Sequence, residues 1–174
     1  MTRRRLNAGD EFAALLRSVR RSSWRWECQG EYAVDLPEVE RWRAGLPAEE
    51  TDDDRAWLAH LRRLRDDGIP FRRVRMFAEP LNDYLAWMRQ AIGPNVAAGE
   101  DVRWLPESAA YGLPDYDFYL LDDERVAIFQ FTDAKELTGV VVDDDLAVLA
   151  LHRAWRDTAW PLAIPHAEYV TMAL

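Results

Sequence analysis

The hydrophobic pattern is sharpest between Asp115 and Phe131. Phe118–Leu121 is a continuous apolar run, Arg125–Phe131 is rich in β-branched and aromatic residues, and the acidic turn Asp122-Asp123-Glu124 joins them. Continuous apolar strands of this length are usually buried on both faces, inside a sheet clad by helices. The flanking segments should supply that cladding.

Asn7 to Arg21 predicts a first helix, with Phe12, Leu15, Leu16 and Val19 at helical spacing and Asn7 or Asp10 as its cap. Arg17, Arg20 and Arg21 would sit at its C-terminus, where the macrodipole favours cations. Ser22–Cys28 alternates, with Trp24, Trp26 and Cys28 on one side and Arg25 and Glu27 on the other, as a half-buried strand does. Glu31–Val34 continues it or pairs with it. Leu36-Pro37 opens a short helix through Val39 and Trp42 that Gly45 and Pro47 stop. Leu46–Asp54 reads as an acidic linker, ending in Thr51 as N-cap for a helix that carries Trp57, Leu58, Leu61 and Leu64 and stops at Gly68. A strand over Ile69–Phe77 and a helix over Asn82–Ala91 follow, and Gly93-Pro94-Asn95 breaks that helix. Asp101–Leu105 is a short strand, followed by an irregular stretch to Pro114. Beyond the central pair, Leu137–Val142 is a strand. Asp143-Asp144-Asp145 caps a helix through Asp157 that Pro161 ends, and the tail after Pro165 should be loosely held.

The predicted class is α/β (or α+β), a single mixed or largely antiparallel sheet flanked by helices. It forms one domain over residues 1–174: an N-terminal segment with a helix and a short strand to residue 50, a core over 51–162, and a loose tail from 163. The 174 residues suffice for a substantial core, and 49% hydrophobic content with eight Trp predicts folding. No apolar run approaches the roughly 20 residues of a membrane span. Leu6–Leu16 is interrupted by Asn7, Gly9, Asp10 and Glu11 and forms no signal-peptide core. The single Cys28 excludes an internal disulfide and fits a reducing cytoplasm. The net charge of −9 is uneven: residues 1–75 hold 16 Arg against 14 acidic residues, while residues 111–174 hold four basic against twelve acidic. That balance disfavours direct duplex binding. It leaves a local arginine surface (Arg3–Arg5, Arg20, Arg21, Arg25) as the only nucleic-acid candidate.

Familiar catalytic patterns are absent. His60, His152 and His166 lack metal-ligand spacing, no glycine-rich phosphate loop exists, and Cys28 has no sequence-neighbouring His. The Asp143–Asp145 run is explained by helix capping. Neither a catalytic residue, nor a metal, nor a cofactor is therefore assigned. The polar constellation that stands out lies mid-chain. Arg73 and Arg75 share one strand face, Glu79, Asn82 and Tyr84 cluster at that strand's exit, and Glu100 and Arg103 flank the next strand. Arginines on an interior strand need partners, because an unpaired buried charge is costly. These residues are either an ion-pair network or the wall of an anion or peptide pocket.

The succession Arg73-Val-Arg75, Glu79-Pro80, Tyr84, Trp87, Asn95, Ala98-Gly99-Glu100, Arg103 and Asp117-Phe-Tyr-Leu-Leu-Asp122-Asp123 resembles an uncharacterised actinobacterial family of unknown function. Its members are often encoded beside small helix-turn-helix regulators, which implies a regulatory or toxin–antitoxin-like role. Asp117 and Asp122 join the candidate pocket on that resemblance. The C-terminal half is also similar to a phospholipase D-like half-domain, whose motif is His-x-Lys-x-x-x-x-Asp. Aligned on Asp122, the lysine position falls on Asp117 and the histidine position on Asp115. Both catalytic residue types are missing, so the resemblance implies a scaffold kept for binding. The expected function is a non-catalytic module that binds a helix-turn-helix regulator. The alternatives are a diverged phosphodiesterase or nucleotide-processing enzyme using Arg73, Arg75, Glu100 and Asp117, and nucleic-acid binding through the N-terminal arginines.

Overall fold

In the computed structural model, which describes residues 2–172, strands β2 (Ser23–Glu27) and β3 (Phe71–Phe77) run parallel at the centre of the sheet. With β1 (Arg3–Leu6), β4 (Asp101–Pro106), β5 (Phe118–Leu121), β6 (Arg125–Phe131), β7 (Leu137–Asp143) and β8 (Ile164–Pro165), they form a mixed eight-stranded sheet in the order β1-β7-β6-β5-β2-β3-β4-β8. Only β2, β3 and β4 are mutually parallel; every other pairing is antiparallel. All four β5 residues are buried, as the apolar run predicts.

Strand register sorts side chains onto two faces. On one face, Tyr119, Leu121, Phe129 and Val140 of the antiparallel half pack with Leu15 and Leu16 of α1 (Asp10–Arg17) and Leu58, Leu61 and Leu64 of α3 (Asp52–Asp66). Further along that face, Phe77, Val102 and Trp104 pack with Val39 of α2 (Leu36–Arg43) and Tyr84, Leu85 and Met88 of α4 (Asp83–Ala91). The opposite face carries Trp24, Trp26, Val74, Phe118 and Leu120 under Leu149 and Ala159 of α6 (Leu146–Leu162). The parallel strands are joined by helical crossovers, α2 and α3 between β2 and β3, then α4 and α5 (Gly93–Ala98) between β3 and β4. Parallel neighbours require such connections.

The helix starts follow their caps. Thr51 and Asp54 form a capping box on α3, Asn82 Oδ1 accepts from Leu85 N at 2.8 Å on α4, and Asp145 accepts from Ala147 N and Val148 N on α6. Gly99 is required as glycine. Its φ is +115°, and a Cβ there would lie 2.8 Å from Arg65 Cβ on α3.

Several expectations are corrected. Asn7–Arg21 is not one helix: α1 covers only Asp10–Arg17, and Arg3–Leu6 is an edge strand on β7. Gly139, where a Cβ would meet Arg5 Nε and Leu6 O at 2.9 Å, permits that approach. Gly93-Pro94 ends α4 but also starts α5, because proline suits a first helical turn. Arg25 and Glu27 are not on a solvated face: Glu27 is buried and Arg25 half-buried. The tail is not loose through residue 172: β8 pairs with β4, and α7 (His166–Met172) docks Tyr169 on Trp104, ring centroids 4.7 Å apart. Residues 173 and 174 of that expected tail, and Met1, lie outside the described residues. Among the described residues no helix is long and apolar enough to cross a membrane.

Tyr169 is 5% exposed and also meets Phe77 at 4.9 Å. Tyr169→Ala should lower the unfolding free energy by about 3 kcal/mol in urea titration. A loss below about 0.5 kcal/mol, the scale of an ordinary surface substitution, would show that the C-terminal helix is not part of the core.

Candidate functional site

Between the two apolar clusters of the crossover face lies a band of charge. The β2–β3 register sets Arg25 beside Arg73 and Glu27 beside Arg75, all on one face. Arg73 donates from Nε and Nη2 to the two oxygens of Glu100 at 2.7 and 3.2 Å, a bidentate pair, and from Nη1 to Glu27 at 3.3 and 3.4 Å. Arg25 Nη2 lies 2.7 Å from Glu27 Oε1, and its guanidinium sits 5.2 Å from both the Tyr119 and Phe129 ring centroids. Asn95 Nδ2, from α5, donates to Glu100 Oε2 at 2.8 Å.

Arg75 continues the band toward the strand ends. Its Nη1 donates to Tyr32 Oη at 2.9 Å, its Nη2 to the Gln29 carbonyl, and its guanidinium lies over the Tyr32 and Tyr84 rings. The Tyr32 hydroxyl in turn donates to Asp117 Oδ2, while Asp117 Oδ1 accepts from Cys28 N at 2.9 Å and the Cys28 thiol at 3.4 Å. Tyr84 donates to Asp35 at 2.6 Å. The buried guanidiniums of Arg73 and Arg75 and the half-buried one of Arg25 thus face three buried carboxylates, Glu27, Glu100 and Asp117.

The electrostatics follow from that balance. Burial alone would raise the Glu27 carboxyl, but Arg25, Arg73 and Arg75 outweigh it and hold it at about 2. Burial, reinforced by the Asp117 carboxylate, pushes the Cys28 thiol up, so it is not a nucleophile near neutral pH. Burial likewise raises Tyr32 and Tyr84 and keeps both hydroxyls protonated donors. Arg25 Nε and Arg75 Nε are buried without a hydrogen-bond partner.

This band floors a cleft of about 910 Å³. Trp42, Trp57, Trp87 and Leu46 contribute apolar wall, and Glu38, Glu49, Glu50 and Asp54 set carboxylates around the opening, Glu38 and Glu49 pairing with Arg41, Glu50 with Arg55, and Asp54 closing the Thr51 cap, with Lys135 a further cation there. Among the described residues no group of three or more His, Cys, Asp or Glu is placed to hold a metal ion.

Of the residues expected to converge, Arg73, Arg75, Tyr84, Glu100 and Asp117 do. Glu79 is exposed beyond the end of β3, and Asn82 is spent on the α4 cap and on the Gly30 carbonyl at 3.2 Å. Arg103 points to the other face, 3.8 Å from the Trp160 ring centroid. Asp122 lies at the far end of β5, where one oxygen accepts from the backbone N–H groups of Arg20, Arg21 and Ser22. It organises a turn, not the pocket. Sequence reading missed Arg25, Glu27, Tyr32, Asp35 and Asn95 as members. The period-two alternation of β2 did put Arg25 and Glu27 on one side; what it lacked was the burial of that side.

A mixed eight-stranded sheet with this cladding defines an α/β protein, and the comparisons agree. The chain belongs to the family described as a domain of unknown function (DUF6879), whose model matches residues 10–171. No curated protein matches. The chain is similar in fold to NucT from Helicobacter pylori, with a TM-score of 0.54 and 11% identity, covering 94% of this chain and 98% of that one. Asp115 and Asp117, which the sequence alignment on Asp122 set against the histidine and lysine of the phospholipase D motif, are exposed and buried respectively, and Asp117 is committed to Cys28 and Tyr32.

Because the folded Glu27 carboxyl titrates far below its ordinary value of 4.5, its contribution is full above pH 4.5 and is lost as pH falls toward 2. Glu27→Gln should flatten that part of the acid-unfolding curve and cost about 3–5 kcal/mol at pH 7, since the buried Arg73 and the half-buried Arg25 lose a partner. An unchanged acid limb in the variant would show that Glu27 is not ionised within the band.

Proposed function

We propose that this protein is a non-catalytic, cytoplasmic regulatory module whose cleft receives a cationic, amphipathic helix from a helix-turn-helix regulator, in a regulatory or toxin–antitoxin-like pair. The observation that carries the reading is the match between apolar walls and an acidic opening. Trp42, Trp57 and Trp87 are half-buried and Leu46 is exposed, so the cleft offers contact area, and four carboxylates surround it. Amphipathic helices dock their apolar face in such grooves, and a rim of opposite charge steers them and sets register. DNA-binding domains are basic and helical, which is the chemistry this opening complements. The overall charge of −9 favours the same encounter.

The floor supports binding over turnover. Its arginines and carboxylates are committed to one another, and the Cys28 thiol is held protonated. A diverged phosphodiesterase would need a nucleophile and free cations, and the band supplies neither.

The test is a tagged pull-down from native lysate at low and moderate salt, alongside a Glu49→Arg/Glu50→Arg variant. The reading predicts a stoichiometric helix-turn-helix protein with the wild type and about tenfold weaker capture with the reversed rim, the effect shrinking as salt screens it. A helix-turn-helix complex indifferent to both salt and charge reversal would contradict the acidic-rim docking mode. Recovery of no such protein at either salt would contradict the partner class.

A further inference from the structure

We propose a second, small-molecule site on the opposite face of the sheet, for a ligand that carries an oxyanion beside a flat ring. A pocket of about 460 Å³ opens there at the N-terminal ends of β2 and β3, against the last turns of α6. Its wall includes Ser22, Trp24, Arg72, Asp123, Arg156 and Trp160. That volume lies in the range of small-ligand pockets.

Two independent features suit this pocket to a hydrogen-bond-accepting ligand. Arg72 is exposed, its guanidinium lies 5.3 Å from the Trp160 ring centroid, and no carboxylate pairs with it among the described residues. Arg156 pairs with both Asp123 and Asp157, so these three groups together carry one negative charge. Arg72 is the cation of the pocket without an ion-pair partner among the described residues. Trp24, which also lines the pocket, is only 4% exposed, yet its buried indole Nε1 has no hydrogen-bond partner. Buried donors are normally satisfied, so an unmet indole N–H beside an uncommitted guanidinium is a donor pair awaiting an acceptor.

The ring requirement comes from Trp160. Its half-buried indole borders the pocket with Pro161 and Leu120 and is already flanked by the guanidiniums of Arg72 and Arg103. A planar ring against that surface would place an attached oxyanion within reach of Arg72. Asp123 and Asp157, also at the pocket, offer acceptors for ring amino groups. Mononucleotides combine these features at the right size.

The probes are adenosine and guanosine monophosphates, with the free nucleosides and inorganic phosphate as controls. Binding is read from the indole N–H resonances of Trp24 and Trp160 in the full-length protein. A nucleoside monophosphate should shift both signals, and Arg72→Ala should weaken its affinity about tenfold, the effect of losing one charge-assisted contact, with an unchanged melting temperature. Glu49→Arg/Glu50→Arg, across the sheet in the other cleft, should leave this binding unaltered. No shift of either resonance with millimolar mononucleotide would overturn the proposal. So would equal affinity in the Arg72 variant, equal affinity for the nucleosides, or equal affinity for phosphate alone.

Discussion

Three arginine side chains on one face of a sheet, Arg73 and Arg75 buried and Arg25 half-buried, constrain the rest of this fold. Removing a guanidinium from water costs several kcal/mol unless geometry and hydrogen bonds repay it. Arg73 is repaid by two carboxylates, Arg25 by Glu27 and two aromatic faces, and Arg75 by Tyr32, the Gln29 carbonyl and a second aromatic face. Each partner comes from a different part of the chain: Glu27 from β2, Glu100 from the turn before β4, Tyr32 from the loop after β2. The parallel register of β2 and β3 and the placement of α5, whose Asn95 holds Glu100, are conditions for the band to exist.

The cleft follows from the same constraint. The crossover face divides into one apolar cluster under α1 and α3 and another under α2 and α4, with the charged floor between them. The cleft is thus an opening whose base is electrically balanced and whose walls are aromatic. Its selectivity must come from the walls and rim, where Trp42, Trp57, Glu49 and Glu50 have side chains accessible to a partner. The opposite pocket differs, because there Arg72 is a cation without an ion-pair partner among the described residues.

Much of the architecture was legible in the chain. The buried β5 and its hairpin partner β6, the Thr51, Asn82 and Asp145 caps, and the mixed sheet with flanking helices follow from periodicity and capping chemistry. What escaped has physical causes. Arg3–Leu6 carries three arginines and pairs only at an edge, so no hydrophobic period marks it as a strand. The β8–α7 segment is short, and its stability comes from Tyr169 meeting Trp104, a tertiary contact without a local signature. Alternation on β2 shows which side chains share a face but not whether water or a helix covers it, which is why Arg25 and Glu27 were placed outside. Asp122 and Arg103 sit close in sequence to cluster members, yet strand direction carries one to the far end of the sheet and pleating turns the other to the opposite face.

The central claim is that the arginine band is one coupled structural unit flooring a cleft. A double-mutant cycle on Arg73→Met and Glu100→Gln, followed by urea unfolding at pH 7, tests it most directly. Each single change should cost about 3–5 kcal/mol by leaving a buried charge unpaired, and the double should cost clearly less than their sum. Additive costs within about 0.5 kcal/mol would show that the two side chains act independently and would contradict the account.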